Sequence, residues 1–282
     1  IVSYEIKNNP KISIIIPTRD YADTLETCLK SIYKKSTYKN YEIIIVDNNS
    51  QEQETFDLFE KYKKAHKNFK VLRLECEFNY SYINNEAVKQ ATGDYILLLN
   101  NDTEVITEDW LEKMVMYASR PHIGAVGAKL LYPDNTIQHG GMIIGINGVA
   151  SHAYINMPRT YGGQFGRLKA PFNYGGVTAA CLIVEKKNYN EVGGLEEELQ
   201  VNFNDVDFNM KLTKKGYYNV FLPQVELYHY ESKSRGLDIS KEKRQRTQNE
   251  TAYMLNKWGK ELTQDKFYNI NYSRNSVYML EK

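Results

Sequence analysis

Between residues 11 and 130, short β-branched runs alternate with stretches whose apolar positions recur at helical spacing. Lys11–Pro17 (KISIIIP) predicts a buried strand, ended by a proline that cannot donate to a ladder. Tyr21–Lys35 puts Leu25, Cys28, Leu29 and Ile32 on one helical face. Tyr41–Val46 (YEIIIV) predicts a second buried strand, followed by the turn cluster Asp47-Asn48-Asn49-Ser50. A helix over Gln51–Ala65, a strand over Lys70–Leu74 and a helix over Tyr82–Ala91 come next. Asp94–Leu99 (DYILLL) predicts a fourth strand running straight into Asn100-Asn101-Asp102. Thr107–Ser119 reads as a helix with Thr107 as N-cap ahead of Glu108 and Asp109.

Such alternation predicts an α/β fold, a mainly parallel sheet with helices on both faces. Ligands bind such sheets beyond the carboxyl ends of the strands. Those ends carry Thr18-Arg19-Asp20, Asp47-Asn48-Asn49 and Asn100-Asn101-Asp102, so the polar clusters gather on one edge. The second half differs. Ile123–Gly176 is rich in Gly, Tyr and Asn, with strands such as Gly141–Ile144 between long loops of the kind that carry function. Val177–Val184 predicts another buried strand, Asn204–Lys215 a helix, and Tyr217–Leu222 and Val225–Tyr230 two more strands. Lys241–Trp258 is a charged helix closing the fold.

Composition narrows the class. In 282 residues, 36 Lys and Arg stand against 35 Asp and Glu, leaving +1 and no global field for nucleic acid. Cys28, Cys76 and Cys181 are too scattered for a disulfide framework or a Cys-rich zinc site, which favours a reducing compartment. With no apolar run of about 18 residues and no signal peptide, the sequence suggests a soluble, cytoplasmic domain. The first residue is Ile1 rather than Met, which suggests a piece of a longer chain. His66, His122, His139 and His152 lack i, i+4 partners, and HExxH, GxxxxGK[ST], GxSxG and a post-strand GxGxxG are missing. Zinc hydrolases, P-loop nucleotidases, α/β-hydrolases and dinucleotide-binding oxidoreductases are thereby disfavoured.

Several polar residues admit two readings each. Asp102, after an apolar strand, is either a loop carboxylate or a ligand for a hard divalent cation that keeps places for phosphates. Asp47 closes an Asx-turn or meets a ligand; Asp20 is most simply a helix-dipole partner. Asp205 and Asp207 fall in the first turn of a helix, two apart, so at most one faces a site; Asp207 suits a structural cap and Asp205 a general base. His229 lies in an alternating strand, where a structural hydrogen-bonded role competes with a role beside the polar stretch Glu231, Ser232, Ser234, Arg235 and Gly236.

Six stretches in order, ISIIIPTRD, YEIIIVDNNS, FNYSYINNEAVKQATGDYILLLNNDTEV, GAVGAKLLYPDNTIQHGGMIIG, NDVDFNMKLTKKGYYNVFLPQVELYHYESKSRG and DKFYNINYS, span roughly residues 11–272. Together they resemble the inverting family 2 glycosyltransferases of the GT-A fold, in the branch that builds bacterial surface polysaccharides, rhamnosyltransferases included. The resemblance implies one GT-A domain over 1–282: a nucleotide-sugar half (11–130), an acceptor and catalytic half (131–236), and a C-terminal helix and tail (237–282). It implies that Pro17, Thr18 and Asp47 hold the base and ribose, with Arg19, Asp20, Asn49, Asn84, Asn100 and Asn101 in the same nucleotide-binding set. Asn100-Asn101-Asp102 takes the place of the DxD motif, with Asp102 and His229 on a divalent metal, Mn2+ or Mg2+. Asp205 matches the catalytic base; Ser232, Ser234 and Arg235 match a flexible segment near the donor phosphates; Tyr174, Thr178 and Asp207 fall on the acceptor side. Asn100 replaces the usual first Asp of DxD, and Asn204 the Glu often found before the base.

The implied partners are a nucleoside-diphosphate sugar, UDP- or dTDP-linked, and a glycan or lipid-linked acceptor. Neighbouring domains of a longer chain, and peripheral attachment at the inner face of the membrane through such an acceptor, are compatible with it. Tyr154, Tyr161, Phe165, Phe172 and Tyr174 suit an acceptor platform or simple packing. Arg159, Arg167 and Lys169 read as solvated loop charges or as partners for a lipid-linked pyrophosphate. Two rival functions remain: a sugar nucleotidyltransferase, disfavoured because Thr18-Arg19-Asp20 lacks glycine, and a catalytically silent nucleotide- or sugar-binding module.

Overall fold

A computed structural model describes residues 2–230 and 240–278. Its first half follows the pattern closely: β1 (Ile12–Thr18), α1 (Ala22–Lys35), β2 (Tyr41–Asp47), α2 (Gln53–Ala65), β3 (Phe69–Arg73), α3 (Tyr80–Gln90) and β4 (Tyr95–Leu99). Then come β5 (Thr103–Val105), α4 (Trp110–Ala118), β6 (Ile123–Leu131), β7 (Ile137–His139), β8 (Met142–Ile144), β9 (Ala150–His152) and β10 (Phe172–Tyr174). The chain closes with β11 (Cys181–Glu185), α5 (Lys186–Glu191), α6 (Asn204–Lys214), β12 (Tyr218–His229) and α7 (Lys241–Trp258).

The main sheet runs β10-β12-β6-β11-β4-β1-β2-β3, with β5 on β12 and β7 on β6; β8 and β9 form a separate pair. β3, β2, β1 and β4 are mutually parallel, as are β6 and β12, while β11 is inserted antiparallel between β4 and β6. Strand periodicity divides the core in two. Ile12, Ile14 and Ile16 pack on one face with α1, α2 and α4 side chains such as Leu29, Phe59 and Trp110. Ile15, Ile44 and Leu98 pack on the other with Ile83 of α3 and Phe208 of α6. A third cluster joins Met142 and Ile144 of β8 to Val206 and Met210 of α6 and Met254 and Trp258 of α7.

Three local expectations are corrected. Thr107 does not cap α4, which starts at Trp110 behind Asp109; the Thr107 hydroxyl instead accepts from Glu226 N (3.0 Å), tying that loop to β12. The strand expected over Val177–Val184 begins only at Cys181, because the preceding N–H groups bond side chains rather than a ladder: Val177 N to Asn209, Thr178 N to His139, Ala179 N to Asp205. The two strands expected around Pro223 are one strand, β12, with a register break between Leu222 and Glu226 where the proline has no donor to offer.

At the amino edge of the sheet, Glu42 is 1% exposed and accepts from Ser13 Oγ (2.7 Å), Thr92 N (2.7 Å) and Thr92 Oγ1 (2.7 Å), and from Lys70 Nζ (2.7 Å). Burial pushes its carboxyl upward, but these donors outweigh burial and hold it at about 2, against an ordinary 4.5. A carboxyl held low in the folded state adds stability that is complete above pH ~4.5 and is lost as pH falls through about 2. Glu42→Gln is therefore expected to lower unfolding stability by about 1–3 kcal/mol at pH 7. Urea unfolding should show that gap closing as the pH is taken toward 2.

Candidate active site

Beyond the carboxyl ends of β1, β2 and β4 lies a cavity of about 950 Å³. Pro17, Thr18, Arg19 and Asp20 line it from the β1 end; Asn100, Asn101 and Asp102 from the β4 end; Thr178, Asp205 and His229 from the second half of the chain.

The centre of this cavity is built by backbone pairing. β5 runs antiparallel to the end of β12, with His229 opposite Thr103, and Tyr230 N donates to Asp102 O (2.9 Å). That register brings His229 Nε2 to 3.1 Å from Asp102 Oδ1. Asn100 Nδ2 also lies 3.2 Å from Nε2, and Gln138 Oε1 lies 2.6 Å from Nδ1. Gln138 Oε1 accepts at Nδ1, which turns Nε2 toward Asp102 Oδ1 and Asn100 Nδ2. Asp102 Oδ1 and His229 Nε2 thus face each other at the cavity wall.

The pair fits a hard divalent ion. Asp102 Oδ1 and His229 Nε2, 3.1 Å apart, are near enough to share one ion. No group of three or more His, Cys, Asp or Glu suited to a metal occurs among the described residues. With two protein donors, an ion held there would keep its remaining positions for water and substrate phosphates. Gln138 holds the imidazole through its other nitrogen.

The β1 end is strained. Asp20 (φ 54°) and Tyr21 (φ 56°) are consecutive left-handed residues, uncommon for non-glycine side chains. Asp20 does not serve α1 as expected. Its Oδ1 accepts from Gln51 N (2.7 Å) and Glu52 N (2.9 Å), so it binds the turn that leads into α2. Asn101 Nδ2 donates to Thr18 Oγ1 (2.9 Å), joining the β4 and β1 ends.

Asp205 also follows a strained residue. Phe203 (φ 62°) turns the chain into α6, and Asp205 Oδ2 accepts from Ala179 N (3.1 Å), holding the carboxylate against the cavity wall.

Other expected residues lie elsewhere. Asp47 is 1% exposed, accepting from Ser50 N (3.0 Å) and pairing with Arg73 (2.6 Å); its neighbour Asn48 lines the cavity instead. Asn49 Nδ2 donates to Cys76 O (2.8 Å), and Asn84 Nδ2 to Tyr80 O within α3 (2.7 Å). Asp207 is fully buried: Trp258 Nε1 donates to it (2.8 Å) and Lys257 pairs with it (2.9 Å), so it anchors α7 rather than capping α6. Tyr174 is buried with its hydroxyl 2.9 Å from that of Tyr278, and Tyr154 stacks on Tyr278. These two pack the C-terminal tail. Arg159 pairs with Glu226 (2.6 Å) and Arg167 lies over Phe172 (4.3 Å), so neither is a solvated loop charge. Ser232, Ser234 and Arg235 lie outside the described residues.

Among the cavity residues that escaped sequence reasoning are Gln138, His152, Lys243 and Arg246. Gln138 and His152 sit in a stretch that reads as loops. Lys243 and Arg246 are three apart on one face of a helix whose charge made it look like surface.

Residues 13–181 match the family described as glycosyl transferase family 2. The chain belongs to that family. The chain is 45% identical over 95% of its length to the uncharacterized protein y4gI of Sinorhizobium fredii. It is 38% identical over 84% of its length to the O-antigen biosynthesis protein RfbC of Myxococcus xanthus. It spans 30% and 18% of those two proteins, less than a third of each. A crystal structure of GalNAc-T7 with UDP, GalNAc and Mn2+ superposes with a TM-score of 0.73 at 17% identity, covering 92% of this chain and 50% of that one. The shared architecture is the GT-A fold, with its flanked sheet, smaller second sheet and C-terminal helix. No helix among the described residues is long and apolar enough to cross a membrane.

The Gln138 contact generates a spectroscopic prediction. Nitrogen-15 shifts of His229 in the metal-free wild type should report a protonated Nδ1, held by the Gln138 oxygen. In Gln138→Leu the two tautomers should mix; an unchanged spectrum would remove Gln138 as their determinant.

Proposed function

We propose that this domain transfers a sugar from a nucleoside diphosphate to a hydroxyl of a glycan or lipid-linked saccharide, with inversion at the anomeric carbon. The observation that carries this reading is the Asp102–His229 pair and Asp205 lining one cavity at the strand ends. RfbC, named for O-antigen biosynthesis, supports a setting in bacterial surface polysaccharide synthesis. The flanking length of the curated relatives is consistent with neighbouring domains. A lipid-linked acceptor would bring the domain to the inner face of the membrane.

Asp102 and His229 would hold Mn2+ or Mg2+, which when bound offsets negative charge growing on the leaving diphosphate. Thr18, Arg19 and Asn48, which line the cavity, would meet the base and ribose. Asp205 takes the proton from the acceptor hydroxyl as that oxygen attacks the anomeric carbon from the face opposite the leaving group. One displacement suffices, so no covalent enzyme intermediate is required. The Ala179 N–H keeps the Asp205 carboxylate turned to the cavity. Asn100, neutral where the family often has Asp, leaves the pair one charge short, so metal is expected to bind together with nucleotide rather than ahead of it.

Calorimetry with UDP, dTDP, GDP and CMP, each with and without Mn2+, is expected to show metal-dependent binding of a uridine or thymidine nucleotide. Silence with all four would defeat the transferase reading. Asp102→Ala should weaken the metal-dependent component by tenfold or more, and an unchanged titration would move the metal elsewhere. Asp205→Asn should reduce transfer by about 10²–10⁴-fold, the range of general base catalysis, while nucleotide affinity stays within threefold. Persistent turnover would reassign the base.

A further inference from the structure

Residues 177–180, just ahead of β11, lie outside the strands, so their backbone groups must find other partners. Val177 N donates to Asn209 Oδ1 (3.2 Å), and Val177 O accepts from Asn209 Nδ2 (2.8 Å). Thr178 N donates to His139 Nε2 (3.4 Å), Ala179 N to Asp205 Oδ2 (3.1 Å), and Ala180 O accepts from Asn100 N (3.1 Å). Thr178, Ala179 and Ala180 line the cavity, whereas Val177 and Asn209 are fully buried.

One side chain thus meets both backbone groups of Val177, as a neighbouring strand would, because an Asn amide carries a peptide's donor and acceptor. The second amide hydrogen of Asn209 goes to Asp205 O (2.6 Å), one turn back in α6. Asn209 therefore grips the backbone of Asp205 together with the segment whose Ala179 N–H holds the Asp205 carboxylate. From the other side, Asn219 Nδ2 donates to Asn209 O (3.1 Å) and Asn219 Oδ1 accepts from Ala125 N (3.2 Å), tying this turn of α6 to β12 and β6.

Helix formation does not call for such a residue. Asn is a poor choice for a helix interior and costly to bury unpaired, and its neighbours Phe208, Met210 and Leu212 in α6 are buried and apolar. Nor does Asp205 fix its own carboxylate. Its Oδ1 accepts from Val206 N (2.8 Å), the local bond open to a carboxylate in a first turn. The second oxygen is aimed by Ala179 N, so its direction depends on where residues 177–179 lie.

Resting on the transferase reading above, we propose that Asn209 is a positioning residue for the reaction: sealed from the cavity, it holds the Ala179 N–H against Asp205 and so fixes the direction in which the base accepts its proton. A general base acts only within hydrogen-bond reach of the proton it takes. A carboxylate free to swing would stay in the cavity and lose that reach.

The test reads the Ala179 amide by proton–nitrogen-15 spectroscopy of the whole chain, with no nucleotide present. Asp205→Asn should move the Ala179 amide proton upfield, because a charged acceptor becomes a neutral one. In Asn209→Ser the hydroxyl can still bond Asp205 O within the helix but is too short to span Val177. In that background Asp205→Asn should move the Ala179 signal by less than about half as much; an equal displacement overturns the proposal. Amides of β1, β2 and β4 at their wild-type positions show that Asn209→Ser is folded. If it is not, exchange in the wild type decides. Val177 and Ala179 should then open as one unit, with protection within about threefold of each other, and an Ala179 amide exchanging freely beside a protected Val177 overturns the proposal. None of these readouts uses nucleotide, so they fail separately from the transferase reading, whose failure shows as silence in the nucleotide titrations.

Discussion

The antiparallel ladder between β5 and the end of β12 is the constraint on which the site depends. Three residue pairs, Leu227 with Val105, Tyr228 with Glu104 and His229 with Thr103, set the register. A shift of one residue would turn His229 to the other face of its strand and part it from Asp102. The ladder is short, so its register is supported from outside. Tyr230 donates its hydroxyl to Glu104 (2.7 Å), Thr107 holds Glu226 N, and Gln138 grips the far side of the imidazole. β12 itself gains its fixed position from its long parallel pairing with β6.

The two edges of the sheet divide the work between stability and chemistry. At the amino edge, Glu42 is surrounded by donors and every contact favours the folded chain. At the carboxyl edge, Asp20, Tyr21 and Phe203 hold left-handed backbone conformations that cost free energy in isolation. They persist because apolar clusters on both faces fix the strands and helices that flank them. The strain is spent on aiming side chains: Asp20 toward the turn before α2, and Asp205 toward Ala179 N.

The C-terminal region contributes to the site as well as to closure. Asp207 and Trp258 bolt the end of α7 to α6, and Glu250 bolts its middle to the turn before α6. Farther along, Asp265 accepts from Ile144 N (2.8 Å) and Phe267 N (2.7 Å); burial pushes its carboxyl up while those two N–H groups and nearby arginines oppose the rise. The tail is thereby fastened to β8, on the far side of the cluster that supports α6.

Much of this was written in local pattern. The alternation of IIII-type runs with helical stripes determined the parallel β1–β4 block, because periods of 2 and 3.6 leave separate marks in the sequence. The same alternation located the edge that carries the cavity, and the order of motifs singled out Asp102, Asp205 and His229, which line it. What the sequence could not determine was contact between distant residues: whether Asp47 met a ligand or closed its own turn, as it does with Arg73 beside it, whether Asp207 capped a helix or anchored one, whether Val177–Ala180 formed a ladder or offered its N–H groups to side chains. Each of these residues has the same local preference in either role, and only the neighbour supplied by the fold decides between them. The inward cations of α7 belong to the same class. Helical spacing put Lys243 and Arg246 on one face, and tertiary packing alone turned that face to the cavity, because Glu250, Met254 and Trp258 farther along the stripe were already held by α6 and β8.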